Sequence, residues 1–351
     1  MPRHSRLLDI EVVFVCDPVE DDDESIGYLS RNADRPVIES FRMIYQGLSE
    51  VARCVVHYNN LNSVIDNIHR HRNAVVFPYW FGEISRNRHA LLPAICESYG
   101  VTYVGADAYT KIVCNDKYLS KSLCDKAGLR TPKGILLNNQ EDLEILERCV
   151  YPLVVKPNGQ GSSLGINDDS LAYTARDARE VASRIGAHIG WPILCEEFIS
   201  GREVSICLIG DHCSPVDISA ISWYFNGDEN FMNDRLYTYA IKYIDGMILE
   251  PISMNHVLSA ELRSQCNRLF SMLDKVEVMR IDGRIGVDGF VVIELTPDLD
   301  LRSDGELNVS FRDRFSCYSD MLRLLLINAL ERARRHAPVD NKNEIILMSD
   351  P

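Results

Sequence analysis

Apolar positions along this chain follow two rhythms that alternate. Unbroken runs at 12–16 (V-V-F-V-C), 54–58 (C-V-V-H-Y), 74–78 (A-V-V-F-P) and 101–104 (V-T-Y-V) read as buried strands. Between them the apolar residues recur every three or four positions. The stretch 39–51 carries Phe41, Ile44, Tyr45, Leu48 and Val51 on one side, and 61–69 and 87–98 read as two further helices. This β-α-β-α-β-α-β order predicts a parallel sheet covered by helices. Ligands of such sheets gather beyond the carboxyl ends of the strands, which points to 17–24, 79–83 and 105–107.

The pattern then changes. Asn115 is placed to cap a helix running to Ala127 and stopped by Gly128, with Lys117 and Lys121 one turn apart. Thr131-Pro132 opens a short strand, and 141–149 and 172–189 read as helices. Strands are expected at 193–199 and 203–209, turned at Gly201, with more strands and loops through 236–243 and 247–252. A helix at 255–273 precedes a hairpin of 278–286 with 290–295, joined through Val287-Asp288-Gly289. The last helix spans about 315–335, and a loose tail follows Pro338.

Two stretches carry candidate chemistry. The first is Y-P-L-V-V-K-P-N-G-Q-G-S-S-L-G at 151–165. A buried strand ends in Lys156, Pro157 stops the ladder, and a loop of Gly159, Gly161 and Gly165 with Ser162 and Ser163 follows. Such a loop can aim backbone N–H groups at phosphate oxygens, although a tight hairpin accounts for the glycines equally well. It has neither the P-loop ending nor the G-x-G-x-x-G spacing. The second is Arg280-Ile281-Asp282 with Glu294-Leu295-Thr296-Pro297-Asp298. Arg280 and Asp282 share one strand face, and Ile281 takes the other. Carboxylates at the ends of paired strands suit a hard dication such as Mg²⁺. On these residues alone, a surface hairpin with its acids paired to Arg280 or Arg284 is the simpler account.

Composition narrows the partners. The chain has 351 residues, enough for two or three domains, and a net charge of −14. That acidity speaks against nucleic acid and acidic membranes. No apolar run has signal-peptide or membrane-spanning character, and the 11 cysteines are scattered without C-x-x-C or zinc spacing. A cytoplasmic protein with reduced thiols is expected. The run of acids at 20–24 reads as a solvated loop.

Taken together and in order, the motifs resemble a family. V-G-A-D, N-D-K-Y-L-S-K, A-G-L-R-T-P, the 151–165 stretch, E-E-F-I-S-G-R-E-V-S-I, Y-A-I-K-Y, R-I-D and E-L-T-P span roughly residues 105–330. They are similar to those of the ATP-grasp ligases, in the D-alanine–D-alanine ligase branch. The resemblance implies an α/β ATP-grasp fold of three domains. These are an N-terminal parallel-sheet substrate domain at 1–107, a central subdomain at 108–192 and a C-terminal subdomain at 193–340, with a tail at 341–351.

It implies roles as well. Lys117, Lys156 and Lys242 match lysines that reach ATP phosphates. Gly161, Ser162 and Ser163 belong to the flap over the γ-phosphate, with Ser162 helping to orient substrate. Glu196, Glu197, Phe198 and Ile199 match the hinge that reads adenine, and Glu203 the carboxylate that binds ribose. Tyr243 matches the tyrosine of the active-site lid and Arg280 the arginine near the reacting carbonyl. Asp282 and Glu294 match ligands of Mg²⁺, or of Mn²⁺ in its place. Thr296 stands where the family has an asparagine, and Asp298 is placed to compensate. The implied activity is ATP-dependent joining of a carboxylate to an amine of amino-acid-like substrates through an acyl phosphate, with dimerisation through the N-terminal domain.

The chain departs from the branch in its first third. The G-G-x-S-x-E signature is absent, strand 1 leads into Asp17-Pro18-Val19-Glu20, and Tyr79-Trp80-Phe81-Gly82 replaces the usual His-Gly. The nucleotide half looks retained and the substrate half rebuilt, and the aromatics suit either a substrate larger than alanine or the core. Two alternatives remain. One is an ordinary cell-wall D-alanine–D-alanine ligase. The other is a nucleotide-binding module without turnover, which Thr296 favours and the retained Lys156, Arg280, Asp282 and Glu294 speak against.

Overall fold

A computed structural model describes residues 7–19, 29, 35–82, 85–210, 216–243 and 246–336. The acidic run at 20–24 and the tail beyond Pro338 lie outside these residues. In the first part, strands β1 (Leu8–Cys16), β2 (Ala52–Tyr58), β3 (Val75–Tyr79) and β4 (Thr102–Tyr103) alternate with helices α1 (Ile38–Ser49), α2 (Leu61–Asn67) and α3 (Arg88–Tyr99). All pairings are parallel, in the order β2-β1-β3-β4. Val12–Cys16 are buried on both faces, as an unbroken apolar run requires.

Helices α4 (Ala108–Asn115) and α5 (Lys117–Ala127) follow. The sequence reading missed α4 and put the cap one residue early. Asp116 has an extended backbone, separates the two helices, and accepts from the Leu119 N–H at 3.0 Å. Next come β5 (Gly134–Leu137), β6 (Leu153–Pro157), β7 (Leu171–Ala172), α6 (Ala175–His188) and β8 (Ile193–Glu197). These strands form an antiparallel sheet ordered β5-β8-β6-β7. The stretch expected as a helix at 141–149 is a tighter 3₁₀ helix, Gln140–Arg148. The helix expected from 172 starts at Ala175, because Ala172 pairs with Leu153 and the Thr174 hydroxyl caps the Asp177 N–H.

The last part holds β9 (Arg202–Ile209), β10 (Asp217–Phe225), α7 (Tyr239–Tyr243), β11 (Leu249–Ser253), α8 (Ala260–Leu273), β12 (Val278–Gly286), β13 (Gly289–Thr296), α9 (Glu306–Ser310) and α10 (Tyr318–His336). Its sheet is antiparallel, ordered β11-β10-β9-β12-β13. Helix α10 ties this sheet to the first. Leu322, Leu325 and Leu326 share one core with Val12 and Phe77 on one side and Cys207, Ile209 and Val278 on the other. A buried ion pair reinforces the join. Arg332 reaches Glu277 at 2.9 Å and donates to the carbonyls of Tyr103 and Gly105 at 2.7 and 2.6 Å. No described helix is long and apolar enough to cross a membrane.

Candidate active site

A cavity of about 150 Å³ lies between the two antiparallel sheets, with Lys156 and Glu196 on one side and Arg280, Asp282 and Glu294 on the other. It adjoins a larger cavity of about 900 Å³ whose wall includes Tyr79, Phe81 and the stretch around Arg302. Lys117, Gly161, Arg280 and Glu294 line both.

Lys156 is the penultimate residue of β6, and Lys121 faces it from α5. They grip the two oxygens of Glu196 on β8, at 2.7 and 2.9 Å. Burial alone would raise the Glu196 pKa, but the two ammonium groups outweigh it and hold the carboxyl below its ordinary range. Lys121 is pushed down by burial, with Glu196 opposing. Lys117, at the start of α5, donates to the Gln160 carbonyl and pairs with Glu294 at 3.1 Å. The glycine loop therefore touches a lysine through its backbone. Ser162 and Ser163 in it have φ of 53° and 56°, a left-handed region that side-chain-bearing residues rarely occupy. The Ser163 hydroxyl donates to the Tyr237 carbonyl at 2.7 Å. Lys242 lies over the Tyr237 ring at 5.4 Å, and the Tyr243 side chain is outside the described residues.

On the other wall Asp282 and Glu294 are directly opposed across β12 and β13. A register shift follows at Gly283, where a Cβ would stand 2.4 Å from the Val291 carbonyl. Arg280 lies between carboxylates, its Nε 2.7 Å from Asp282 and its Nη1 2.9 Å from Glu306. Ser205 donates to Asp282 Oδ1 at 2.7 Å and Thr296 to Oδ2 at 3.0 Å. Burial raises the Asp282 pKa, Arg280 opposes, and the charge of Glu294 raises it further. For Glu294 burial is outweighed by Lys117 and Lys156, so its pKa falls.

One carboxylate of the pair is thus strained toward its neutral form, a state that an added dication would relieve. Two carboxylates, with phosphates and water completing the shell, suit Mg²⁺. Asp282 and Glu294 fit that group. Asp298 lines the larger cavity with Glu294 but is paired with Lys111 and lies 3.6 Å from His89, and the Thr296 hydroxyl donates to Asp282. Among the described residues no three His, Cys, Asp or Glu side chains cluster as a metal site.

Glu197, Phe198 and Ile199 line the smaller cavity beside Glu203. Glu203 is paired with Arg284 at 2.8 Å, and that guanidinium also lies 5.0 Å from the Phe198 ring and 3.0 Å from the Ile199 carbonyl. Lys121, Arg284 and Glu306 were missed as members of the site. Lys121 was signalled by its one-turn spacing from Lys117. Arg284 was named only as an ion-pair partner, and Glu306 sits in no motif.

Asp17 is not a free anion at the strand end. It accepts from the Phe81 and Gly82 N–H groups at 3.1 and 2.9 Å and pairs with Arg35 at 3.1 Å. Tyr79 and Phe81 line the larger cavity, while Trp80 turns into the helix-covered core with Val13 and Leu92.

His89 lies beside Asp298, and burial above all pushes its pKa down to about 4 from 6.5. Asp298 opposes, while Arg88, Lys111 and Lys117 lower it further. It is neutral in the folded protein at pH 7. Between pH 6.5 and 4 the unfolded chain takes up a proton that the folded chain refuses. Stability should therefore fall across that window, by on the order of 3 kcal/mol at pH 4. Urea midpoints measured from pH 7 to 4 check this, and His89→Gln should flatten the fall.

The family model described as D-ala D-ala ligase C-terminus matches residues 126–296. The D-alanine–D-alanine ligase of Blochmanniella floridana is 27% identical over 291 residues, 80% of this chain and 75% of that protein. The D-alanine–D-alanine ligase of Bifidobacterium longum strain DJO10A is 28% identical over 215 residues, so this chain spans about half of its length, 53%. The D-alanine–D-alanine ligase of Bacillus anthracis, solved with ATP, superposes with a TM-score of 0.67 at 17% identity, covering 94% of this chain and 99% of that one. The ligase of the same name from Coxiella burnetii gives 0.66 at 14% identity, covering 96% and 100%. At such identities the superpositions establish the fold.

Proposed function

The chain belongs to the D-alanine–D-alanine ligase-like branch of the ATP-grasp family, ATP-dependent and ADP-forming C–N ligases, and from that premise we propose that it joins two amino-acid-like substrates by an amide bond. The observation that carries the reading is the convergence of Lys117, Lys156, Arg280, Asp282 and Glu294 on one cleft between two sheets. In this reading the three units are bounded at 1–107, 108–192 and 193–340.

The reaction has two steps. A substrate carboxylate attacks the γ-phosphorus of ATP, and the bond to the β-phosphate oxygen breaks, giving an acyl phosphate and ADP. The amine then attacks the acyl carbon, phosphate leaves with the C–O bonding pair, and the amine loses a proton. Phosphoryl transfer asks mainly for placement and positive charge. Lys156 and Lys117 supply the charge, with Lys117 exchanging its Gln160 and Glu294 contacts for phosphate oxygens, and Lys242 adds to it. Ser162 and Ser163 present hydroxyls from the glycine loop, while Glu196 through Ile199 and Glu203 bind the nucleoside. Arg280 stabilises the oxyanion of the tetrahedral intermediate. Asp282 and Glu294 would hold a divalent cation, which when bound neutralises phosphate charge.

The substrates sit in the 900 Å³ cavity, at the upper end of small-molecule sites. Asp17 is consumed by backbone donors and Arg35, and aromatics line the wall. Both features favour a pair of substrates other than two alanines. The relatives' names keep D-alanine in the comparison. The test is a screen of amino acids, D-alanine included, for substrate-dependent ADP release with ATP and Mg²⁺. Release with amino acids other than D-alanine is the expected result. A dipeptide formed rapidly from D-alanine alone would establish the cell-wall reading in its place. Nucleotide binding with no substrate-dependent release would leave a binding module.

A further inference from the structure

The glycine loop is held from four directions. Lys117 of α5 donates to the Gln160 carbonyl, Asn115 of α4 donates to the Gly159 carbonyl at 3.2 Å, and Ser163 donates to the Tyr237 carbonyl. The fourth contact comes from the first sheet's own layer. Arg88, the first residue of α3 and only 5% exposed, places Nη2 3.1 Å from the side-chain oxygen of Gln160. Resting on the functional reading above, we infer that Arg88 is a positioning residue that anchors the glycine loop to the N-terminal unit.

The chemistry separates this contact from its neighbours. Lys117 holds Gln160 through the backbone, and it must let go to reach a phosphate. Arg88 holds the same residue through its side chain, and nothing in that exchange competes with it. The loop thus keeps one anchor while the other changes partner. Two consecutive left-handed serines follow Gln160, and such backbone persists only where surrounding contacts hold it. The anchor also links two sites. His89, next in sequence, lines the larger cavity and packs edge-on against Phe81 at 5.5 Å between ring centroids. The residue that anchors the loop therefore sits beside one that lines the larger cavity.

The test is amide hydrogen exchange at residues 159–165, together with calorimetric binding of the β,γ-imido analogue of ATP with Mg²⁺. Arg88→Ala and Gln160→Ala should each speed exchange there roughly tenfold, the worth of one hydrogen bond to a charged group, and weaken analogue binding by a similar factor. The double variant should be no worse than either single one, and exchange in β1 should stay unchanged. Gln160→Glu, which gives the guanidinium a charged acceptor, should slow exchange in the loop. Gln160→Ala leaves the buried guanidinium in place, so it decides the question even where Arg88→Ala fails to fold. Unchanged loop exchange in Gln160→Ala, or effects that simply add in the double variant, would overturn the inference. Failure of the wild-type protein to bind the analogue would overturn the functional reading instead, and the nucleotide-free exchange rates would still decide the anchor.

Discussion

Replacing Arg280 with methionine should cut substrate-dependent ADP release by roughly 10²–10³-fold, the range seen when one oxyanion donor is lost. Binding of nucleotide should change only a few-fold, because Lys117 and Lys156, the lysines proposed to meet the phosphates, lie on α5 and β6. The loss has a second part. The charge of Arg280 lowers the pKa of Asp282, against burial and the charges of Glu294 and Glu306, which raise it. Without the guanidinium Asp282 moves further toward its protonated form, and Glu306 loses its partner. The variant should therefore also need more Mg²⁺ for half-maximal activity, measured by titrating the metal at saturating ATP. Arg280→Lys should not rescue it, because an ammonium cannot span both Asp282 and Glu306 as the planar fork does.

The largest expected loss of stability comes from Glu196→Ala. That change leaves Lys121 and Lys156 buried together with no anion between them, at a cost of about 3–5 kcal/mol. Thermal unfolding should move down by on the order of 5–10 °C. Adding Lys121→Met should recover part of the drop, since one stranded charge is removed. Recovery in the double variant separates charge imbalance from lost packing, which a second truncation would only deepen. The pH dependence follows from the same site. The Glu196 carboxyl is held below its ordinary range, so its contribution is complete above that range and is lost as pH falls through the lowered value.

Local pattern carried much of this molecule. The run at 12–16 is buried on both faces, and the hairpin of β12 with β13 follows from two apolar stretches around a turn. Period-two alternation put Arg280 and Asp282 on one face and Ile281, fully buried, on the other. These are short-range consequences of backbone geometry, so a linear reading reaches them. The break between α4 and α5 was harder, because Asn115 and Asp116 are both good caps and only the backbone at Asp116 settles which one acts.

The amino acids alone settled the alternation of elements, the position of the glycine loop, and which cations and acids were available. They left open how those charges pair. Asp298 meets Lys111 across 187 positions, and Lys121 meets Glu196 only when α5 is folded against β5 and β13. Arg280 finds Glu306 on a helix that no motif marks. Ion pairing depends on distance in space and on local burial, and neither quantity is written in the order of residues. Folding brings α5, β8, β12 and β13 around one cleft, and that enclosure turns scattered charges into a site.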